Sequence, residues 1–362
     1  NFDKFSINIF GNSDKGDGYI GDIIFVGVTA TNGTASTEEY SLVLKCSKRS
    51  QILREISPVK EAFMNEIYFY DVVLPAFTRF QKEKGITDLF DSVPKCYGTL
   101  IGDNTEVIVF ENLKHIGYSL WDKKKPLTRQ HVDMVVKEYA KFHAVSIAMK
   151  DQNPEQFEEL IAPLGDIFKK FVDSVDVETL YGNVIDEICD SLKDELDGNI
   201  LLKWRNIKKQ INFIMNDIAR DVEGLKVVLH SDCWNNNFMF KHSADEESRP
   251  LKVAILDWQI SKYSSPIFDL SYFLFACISK GDIENLEAIL KSYYESLANY
   301  LRRLGSDSEA LYRFDQFLED WKKLCRFGIL ITCMLRPKKM KSSISPKQLK
   351  AVKASLKRFH IN

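Results

Sequence analysis

The chain has 362 residues, 45% of them hydrophobic and 28% charged, and a net charge of −2 at neutral pH. That length accommodates two lobes with cores of their own, and the near-neutral balance excludes the broad basic footprint of a nucleic-acid binder or of a protein held on an anionic membrane. The longest apolar runs, SYFLFACIS and FGILITCML, fall well short of the ~20 residues that span a bilayer, and no basic-then-apolar leader is visible.

The first 110 residues predict a β-rich lobe. KFSINIF and YIGDIIFVGVTAT read as strands around the turn GNSDKGDG, whose Gly, Asp and Asn favour a tight reversal. EEYSLVLKCS is a third strand, in which Val43 and Lys45 share one face and Leu42, Leu44 and Cys46 the other. Ser57-Pro58 then suits the opening of a long helix over VKEAFMNEIYFYDVVLPAFTRF, with Phe63, Ile67, Tyr70 and Leu74 recurring every three or four residues. VPKCYGTL and TEVIVFENL complete the β-rich part.

After Leu113 the pattern turns helical. A long amphipathic helix follows Thr128, and further helices fill 155–222, broken at Pro163, Gly165, Gly182 and Gly198. The β signal returns only at 225–240 and 251–257, on either side of the polar turn KHSADEESRP, before helices resume over 266–336. The basic tail KKMKSSISPKQLKAVKASLKRF reads as a solvated helical face. Seven scattered cysteines without a CxxC pair read as buried free thiols in a reducing compartment, not as a disulfide or zinc framework.

The stretch VVLHSDCWNNNFMF drives a buried-strand pattern into a polar cluster, where His230, Asp232 and Asn237 form H-x-D-x4-N. Asp257 ends a second apolar strand, VAIL, and a hairpin turning at 241–250 would bring it beside Asn237. Upstream lie Lys45 on the third strand, Glu66 in the first long helix, and Gly16 and Gly18 in the turn before the second strand. That turn lacks the G-K-[ST] ending of a P-loop. Taken alone, residues 230–237 also fit a hairpin whose Asn and Asp serve turns and caps. In this order, however, the parts match the phosphoryl-transfer site of protein kinase-like folds. The chemistry requires these residue types. ATP phosphates need cations and backbone N–H donors, which a glycine turn brings close. Lys45 would contact the phosphates, held by Glu66, and Asn237 and Asp257 offer magnesium the oxygen ligands it prefers. Asp232 would orient or accept the proton of the acceptor hydroxyl, and His230 would brace the loop.

HSDCWNNNFMF followed by ILDWQ and SPIFDLSYFLF resembles the ecdysteroid kinase-like (CHK kinase-like) family, related to choline kinases and aminoglycoside phosphotransferases. Trp234 two residues after Asp232, with Gln259 two after Asp257, separates this pattern from ordinary protein kinases. The resemblance implies an α+β, bilobal protein kinase-like fold: an ATP-binding lobe over 1–110, a catalytic and substrate-binding lobe over 111–362, and a helical insertion near 150–222. It implies Asp232 as catalytic base, Asn237 and Asp257 as magnesium ligands, and Lys45 with Glu66 as the phosphate pair. FENL would be the hinge, where Glu111 and Leu113 meet adenine through backbone groups. Asp269 would support the loop. Two positions depart from the family pattern, Ser231 where Gly is usual and Trp258 where Phe is common.

The implied reaction transfers the γ-phosphate of ATP, with Mg2+, to a hydroxyl of a small molecule such as an ecdysteroid, in the cytoplasm and with no nucleic-acid or membrane partner. Phe168, Phe171, Tyr181, Trp204, Phe213, Tyr272, Phe273 and Phe275 would line an apolar acceptor pocket. The many Asp and Glu of 155–223 also leave room for a cationic alcohol such as choline or an aminoglycoside. A catalytically silent protein that binds a nucleotide or steroid is the alternative from a different class.

Overall fold

The structure, a computed structural model, describes residues 4–12, 20–31, 37–122, 125–194, 197–218, 223–246 and 249–335. Gly16, Gly18 and the basic tail lie outside the described residues. Strands β1 (Lys4–Asn12), β2 (Gly21–Thr31) and β3 (Thr37–Ser47), then β4 (Cys96–Gly102) and β5 (Thr105–Glu111), form one antiparallel sheet in the order β1-β2-β3-β5-β4. β3 is central, paired with β2 from Ser47 to Thr37 and with β5 through Lys45↔Ile108. Its alternation turns Lys45 inward, to 9% exposure.

Between β3 and β4 the chain makes two helical segments. The first, α1 (Gln51–Ile56), is one that the sequence pattern does not announce; Ser50 caps it by accepting from Leu53 N–H, and no residue of it is buried. The second is continuous from α2 (Val59–Tyr68) through a π-helical turn at Phe69–Val73 into α3 (Leu74–Glu83). Its opening differs from the expected Ser cap, since Pro58 occupies the cap position without a side-chain bond. The π turn widens the helix by one residue and lays Phe69 flat on Trp258, with ring centroids 4.0 Å apart and planes 5° apart. Such a stack contributes ~0.5–1.5 kcal/mol beyond the area it buries.

The rest of the chain is mainly helical. β6 (Tyr118–Leu120) leads to α4 (Arg129–Gln152), followed by α5 (Pro154–Ile161), α6 (Ile167–Ser174), α7 (Val177–Leu192) and α8 (Gly198–Lys209). Thr128 stands at the cap position of α4 but makes no cap bond; its hydroxyl lies 2.6 Å from His131 Nδ1. Short strands β7 (Val227–Leu229), β8 (Phe238–His242), β9 (Pro250–Ile255) and β10 (Lys262–Ser264) come next. β8 and β9 form the expected hairpin, with β6 on its outer side, and β10 pairs with β7. Helices α9 (Pro266–Cys277), α10 (Lys280–Glu284), α11 (Leu286–Arg303), α12 (Ser308–Leu311), α13 (Phe314–Leu324) and α14 (Arg326–Met334) complete the described chain.

One apolar core holds these parts together. It runs from Ile67, Phe77 and Phe80 of the long helix and Ile108 and Phe110 of β5 into α4, α9 and α11. Phe142 of α4 is fully buried, tilted against Phe77 and Phe90 and edge-on to Trp258. α9 is apolar around most of its circumference and is buried along nearly its whole length, as a helix lacking a solvent face must be. The architecture is therefore the α+β arrangement expected, an antiparallel sheet with its helix joined to a helical lobe. Among the described residues no helix is long and apolar enough to cross a membrane. All seven cysteines carry free thiols.

Candidate active site

Lys45, Glu66 and Asp257, separated by up to 212 positions in sequence, meet in one cluster. The Lys45 ammonium lies 2.6 Å from Glu66 Oε2 and 2.7 Å from Asp257 Oδ1. β3 carries the lysine, α2 the glutamate, and the end of the β8–β9 hairpin the aspartate. Burial opposes the Lys45 charge, but the carboxylates of Asp257 and Glu66 outweigh it and raise the ammonium above its usual value. Burial, with the Asp257 charge, raises the Glu66 carboxyl, and Lys45 pulls it back. Glu66 is also tied to the chain after Asp257, because its Oε1 accepts from Trp258 N–H at 3.3 Å. Removing water from three charged groups is costly, and is tolerated where each finds an oppositely charged partner at contact distance.

The second cluster is the loop after β7. Asn237 Nδ2 donates to the Asp232 carbonyl at 2.9 Å and to its carboxylate Oδ2 at 2.8 Å. Tyr272 O–H donates to the other oxygen, Oδ1, at 3.2 Å, so both carboxylate oxygens have fixed donors. Burial and then the Asp257 charge push the Asp232 carboxyl above the usual carboxylate range. Asn237 closes a single 3-10 turn over 235–237, and its carbonyl accepts from Leu256 N–H at 2.9 Å. That bond prolongs the β8–β9 pairing by one step beyond Phe238↔Ile255 and sets Asn237 beside the approach to Asp257.

His230 and Asp269 lie beneath the loop and are fully buried. His230 Nε2 donates to the Leu256 carbonyl at 2.8 Å, which leaves Nδ1 to accept from Tyr139 O–H at 3.1 Å. Asp269 takes the backbone N–H groups of His230 and Ser231 at 2.8 and 2.7 Å, and His143 Nε2 stands 3.3 Å away. Burial works against the Asp269 charge, yet these donors outweigh it and hold the carboxyl below its usual value. Glu111 ends β5 with its N–H given to Lys95. The Leu113 carbonyl accepts from Ile116 and Tyr118 N–H, and its side chain packs on Met239 and Ala254 of the hairpin.

Both departures from the family pattern have a structural consequence. Trp258 is fully buried between Phe69, Phe142 and His230, with its Nε1 donating to the Ile255 carbonyl at 3.1 Å. Ser231 adopts φ 73°, a left-handed conformation that costs a residue with a Cβ ~1–2 kcal/mol, and its buried hydroxyl makes no hydrogen bond. Ser231→Gly relieves both penalties and gives back ~0.5–1 kcal/mol in unfolded-chain entropy. The variant is therefore expected to be about 1 kcal/mol more stable in thermal or urea melts, and a lower midpoint would refute this account of the turn.

Sequence reasoning grouped Tyr272 with the pocket aromatics and gave it no contact with Asp232. A signal was available, since Asp269 and Tyr272 stand three apart on α9 and so share a face. Asn65 was also missed; a lone polar residue in a helix carries no sign of burial, yet it is 5% exposed. Tyr181, Trp204 and Phe273, expected around a pocket, are core residues, and Phe213 is half exposed.

The donor set suits a hard cation partly completed by a ligand. With Nδ2 committed to Asp232, the Asn237 amide has its oxygen free to coordinate, and Asp257 keeps the oxygen that Lys45 does not hold. Among the described residues no cluster of three or more His, Cys, Asp or Glu could hold a metal alone, and magnesium characteristically takes one or two protein oxygens together with phosphates and water.

A family model described as the ecdysteroid kinase-like family matches residues 15–306. The 4-hydroxytryptamine kinase of Psilocybe cubensis is 29% identical over 92 residues, which cover 25% of this chain and 25% of that protein. The chain thus matches about a quarter of that curated relative's length. The GDP complex of aminoglycoside 2'-phosphotransferase-IIIa has a TM-score of 0.42 at 12% identity, covering 91% of this chain and 93% of that one. A macrolide 2'-phosphotransferase from Brachybacterium faecium has a TM-score of 0.37 at 14% identity, covering 92% and 95%. Structural likenesses of that depth assign no role to any residue.

Proposed function

We propose that the chain, which belongs to the ecdysteroid kinase-like family, is an ATP- and magnesium-dependent kinase that transfers the γ-phosphate to a hydroxyl of a small molecule. The observation that carries this reading is the Lys45 ammonium, held within 2.7 Å of carboxylates from α2 and from the metal-side loop. A cation built that way, between the antiparallel sheet and the helices that follow it, would receive phosphates. Glu66 fixes its position. Glu111 and Leu113 would meet adenine; because the Leu113 carbonyl is already used in its turn, Leu113 would contribute its N–H. Gly16 and Gly18 would cover the phosphates through backbone N–H groups.

Asn237 and Asp257 would hold magnesium, which when bound neutralises phosphate charge. Asp232 is the proposed catalytic base. Its carboxylate is aimed by Asn237 and Tyr272, so the acceptor hydroxyl meets an oriented oxygen. In a largely dissociative transfer this positioning matters as much as removal of the proton. Asp269 and His230 hold the loop that presents it.

For the acceptor we propose a bulky, weakly polar alcohol of the ecdysteroid type, bound between the helices of 150–222 and α9. Half-buried Phe168, beside Phe327, suits an apolar wall there better than the core aromatics do. The test is a mass-spectrometric screen with ATP and Mg2+ against ecdysteroids, choline, aminoglycosides and hydroxytryptamines. Addition of one phosphoryl group to a steroid supports the reading. Product from cationic alcohols alone transfers it to that class, and nucleotide binding without any product points to a silent binder.

A further inference from the structure

Asn65 immediately precedes Glu66 on α2, and its side chain reaches across to the helical lobe. Its Nδ2 donates to the carbonyls of Gln259 at 3.2 Å and Ser261 at 2.8 Å, on the segment that follows Asp257. Its Oδ1 accepts from Gly165 N–H at 3.2 Å, in the connection between α5 and α6. One amide therefore ties together three stretches of chain, α2, the 259–261 segment and the α5–α6 connection. Consecutive residues of a helix point ~100° apart. Glu66 thus meets Lys45 and Trp258 N–H while Asn65 meets the backbone just beyond them.

Other contacts reinforce the same junction. Tyr68 O–H donates to the Leu160 carbonyl at 3.0 Å, and Glu61 pairs with Lys170 at 3.0 Å. A small apolar cluster, separate from the main core, packs Val59, Ala62 and Phe63 of α2 against Ile20 and Ile167, with Ile260 at its margin. Phe63 also presents its ring to the Lys45 ammonium at 5.8 Å. Asn is the residue this position needs, because the amide must donate to carbonyls and accept from an N–H at once. An aspartate would set a charge against two carbonyl oxygens, and an alanine would take this partner from three backbone groups, one buried and two partly buried.

We propose that Asn65 is a positioning residue, which fixes the rotation of α2 so that Glu66 stays on Lys45, and that through Gly165 it links the α5–α6 connection to the nucleotide-phosphate site. This rests on the reading of Lys45, Glu66 and Asp257 as that site. The apolar cluster resists separation of the surfaces without fixing the helix angle; among the directional bonds of α2, the three of Asn65 lie next to Glu66 and set its angle most directly.

The experiment is a double-mutant cycle read by Mg·ATP dissociation constants and by ATP hydrolysis without acceptor. Asn65→Ala in the otherwise unchanged chain is expected to weaken Mg·ATP binding about ten-fold and to slow hydrolysis in parallel. In a Glu66→Gln background the same change is expected to cost less than about two-fold, because contacting residues couple while independent ones add. Asn65→Ser, which retains one donor, should fall between, and supplies the cycle if Asn65→Ala folds poorly. Costs that multiply in full would mean that Asn65 acts on the site independently of Glu66, and would overturn the proposal. An unchanged chain that binds no Mg·ATP would instead defeat the reading of the site, so the two failures are distinct.

Discussion

Asp232→Asn is expected to lower phosphoryl transfer at least about 10³-fold, in the upper range of losses on removing a general base, while Mg·ATP affinity stays within about two-fold. The substitution is close to isosteric. Its amide can turn its oxygen towards Asn237 Nδ2 and its NH2 towards the Tyr272 oxygen, which then accepts instead of donating, so both neighbours, at 2.8 and 3.2 Å in the structure, keep a polar contact. What disappears is the negative charge and the capacity to take a proton. The readouts are product formation by mass spectrometry and nucleotide binding by calorimetry. Turnover that survives would remove Asp232 from the chemistry, whereas loss of both turnover and nucleotide binding would mean that the loop had collapsed. The same carboxylate predicts a pH effect. Burial and Asp257 already raise it, and the Tyr272 O–H opposes that rise by stabilising the charged form. Tyr272→Phe deletes the donor, so the Asp232 pKa rises further and the acid limb of kcat/KM moves to higher pH. Above that limb the rate should fall only modestly, because Asn237 still orients the carboxylate. An acid limb that stays put or moves down would contradict the contact.

The sequence made the charged members of the site legible because each interrupts an apolar pattern. Lys45 breaks the alternation of β3, Glu66 sits within an apolar helix, and Asp257 ends VAIL. Their convergence followed from a hairpin whose turn was recognisable, and the β8–β9 register places Asn237 next to the strand leading to Asp257. Less could be read where a residue's role depends on backbone conformation or on main-chain partners. The positive φ of Ser231 and Asp257 leaves no periodic signature. Asn65 bonds only to backbone groups, which every residue has, so no partner residue betrays it. Tyr272 lies in an apolar run and reads as a pocket aromatic, yet by burial it is core; only its hydroxyl reaches the site. The aromatics of the insertion failed in the opposite sense. Helical spacing cannot separate a pocket wall from a core, and Tyr181 and Trp204 went to the core.

Asp257 offers the other large effect, and its backbone decides which substitution is informative. With φ 66° it occupies the left-handed region, where Asn is tolerated nearly as well as Asp while Ala incurs a strain of ~1–2 kcal/mol. Asp257→Asn therefore isolates the charge. Lys45 keeps Glu66 at 2.6 Å, so the lysine remains anchored and the fold should melt close to the unchanged protein. The proposed magnesium site nevertheless loses its one carboxylate, and a neutral amide oxygen is a much poorer magnesium ligand than a carboxylate. Turnover is expected to fall at least about 10³-fold, because electrostatic stabilisation supplies most of the rate in phosphoryl transfer. The more specific readout is nucleotide affinity measured with Mg2+ and with chelator. In the unchanged protein magnesium should tighten ATP binding, and in Asp257→Asn that dependence should largely vanish while metal-free binding improves, since a negative charge facing the phosphates has been removed. If magnesium tightens ATP equally in both proteins, Asp257 is no ligand and acts only as a counter-ion to Lys45. Asp257→Ala completes the comparison. It should repeat the loss of magnesium dependence and add the backbone strain, which separates what the carboxylate does for the metal from what the residue does for the turn.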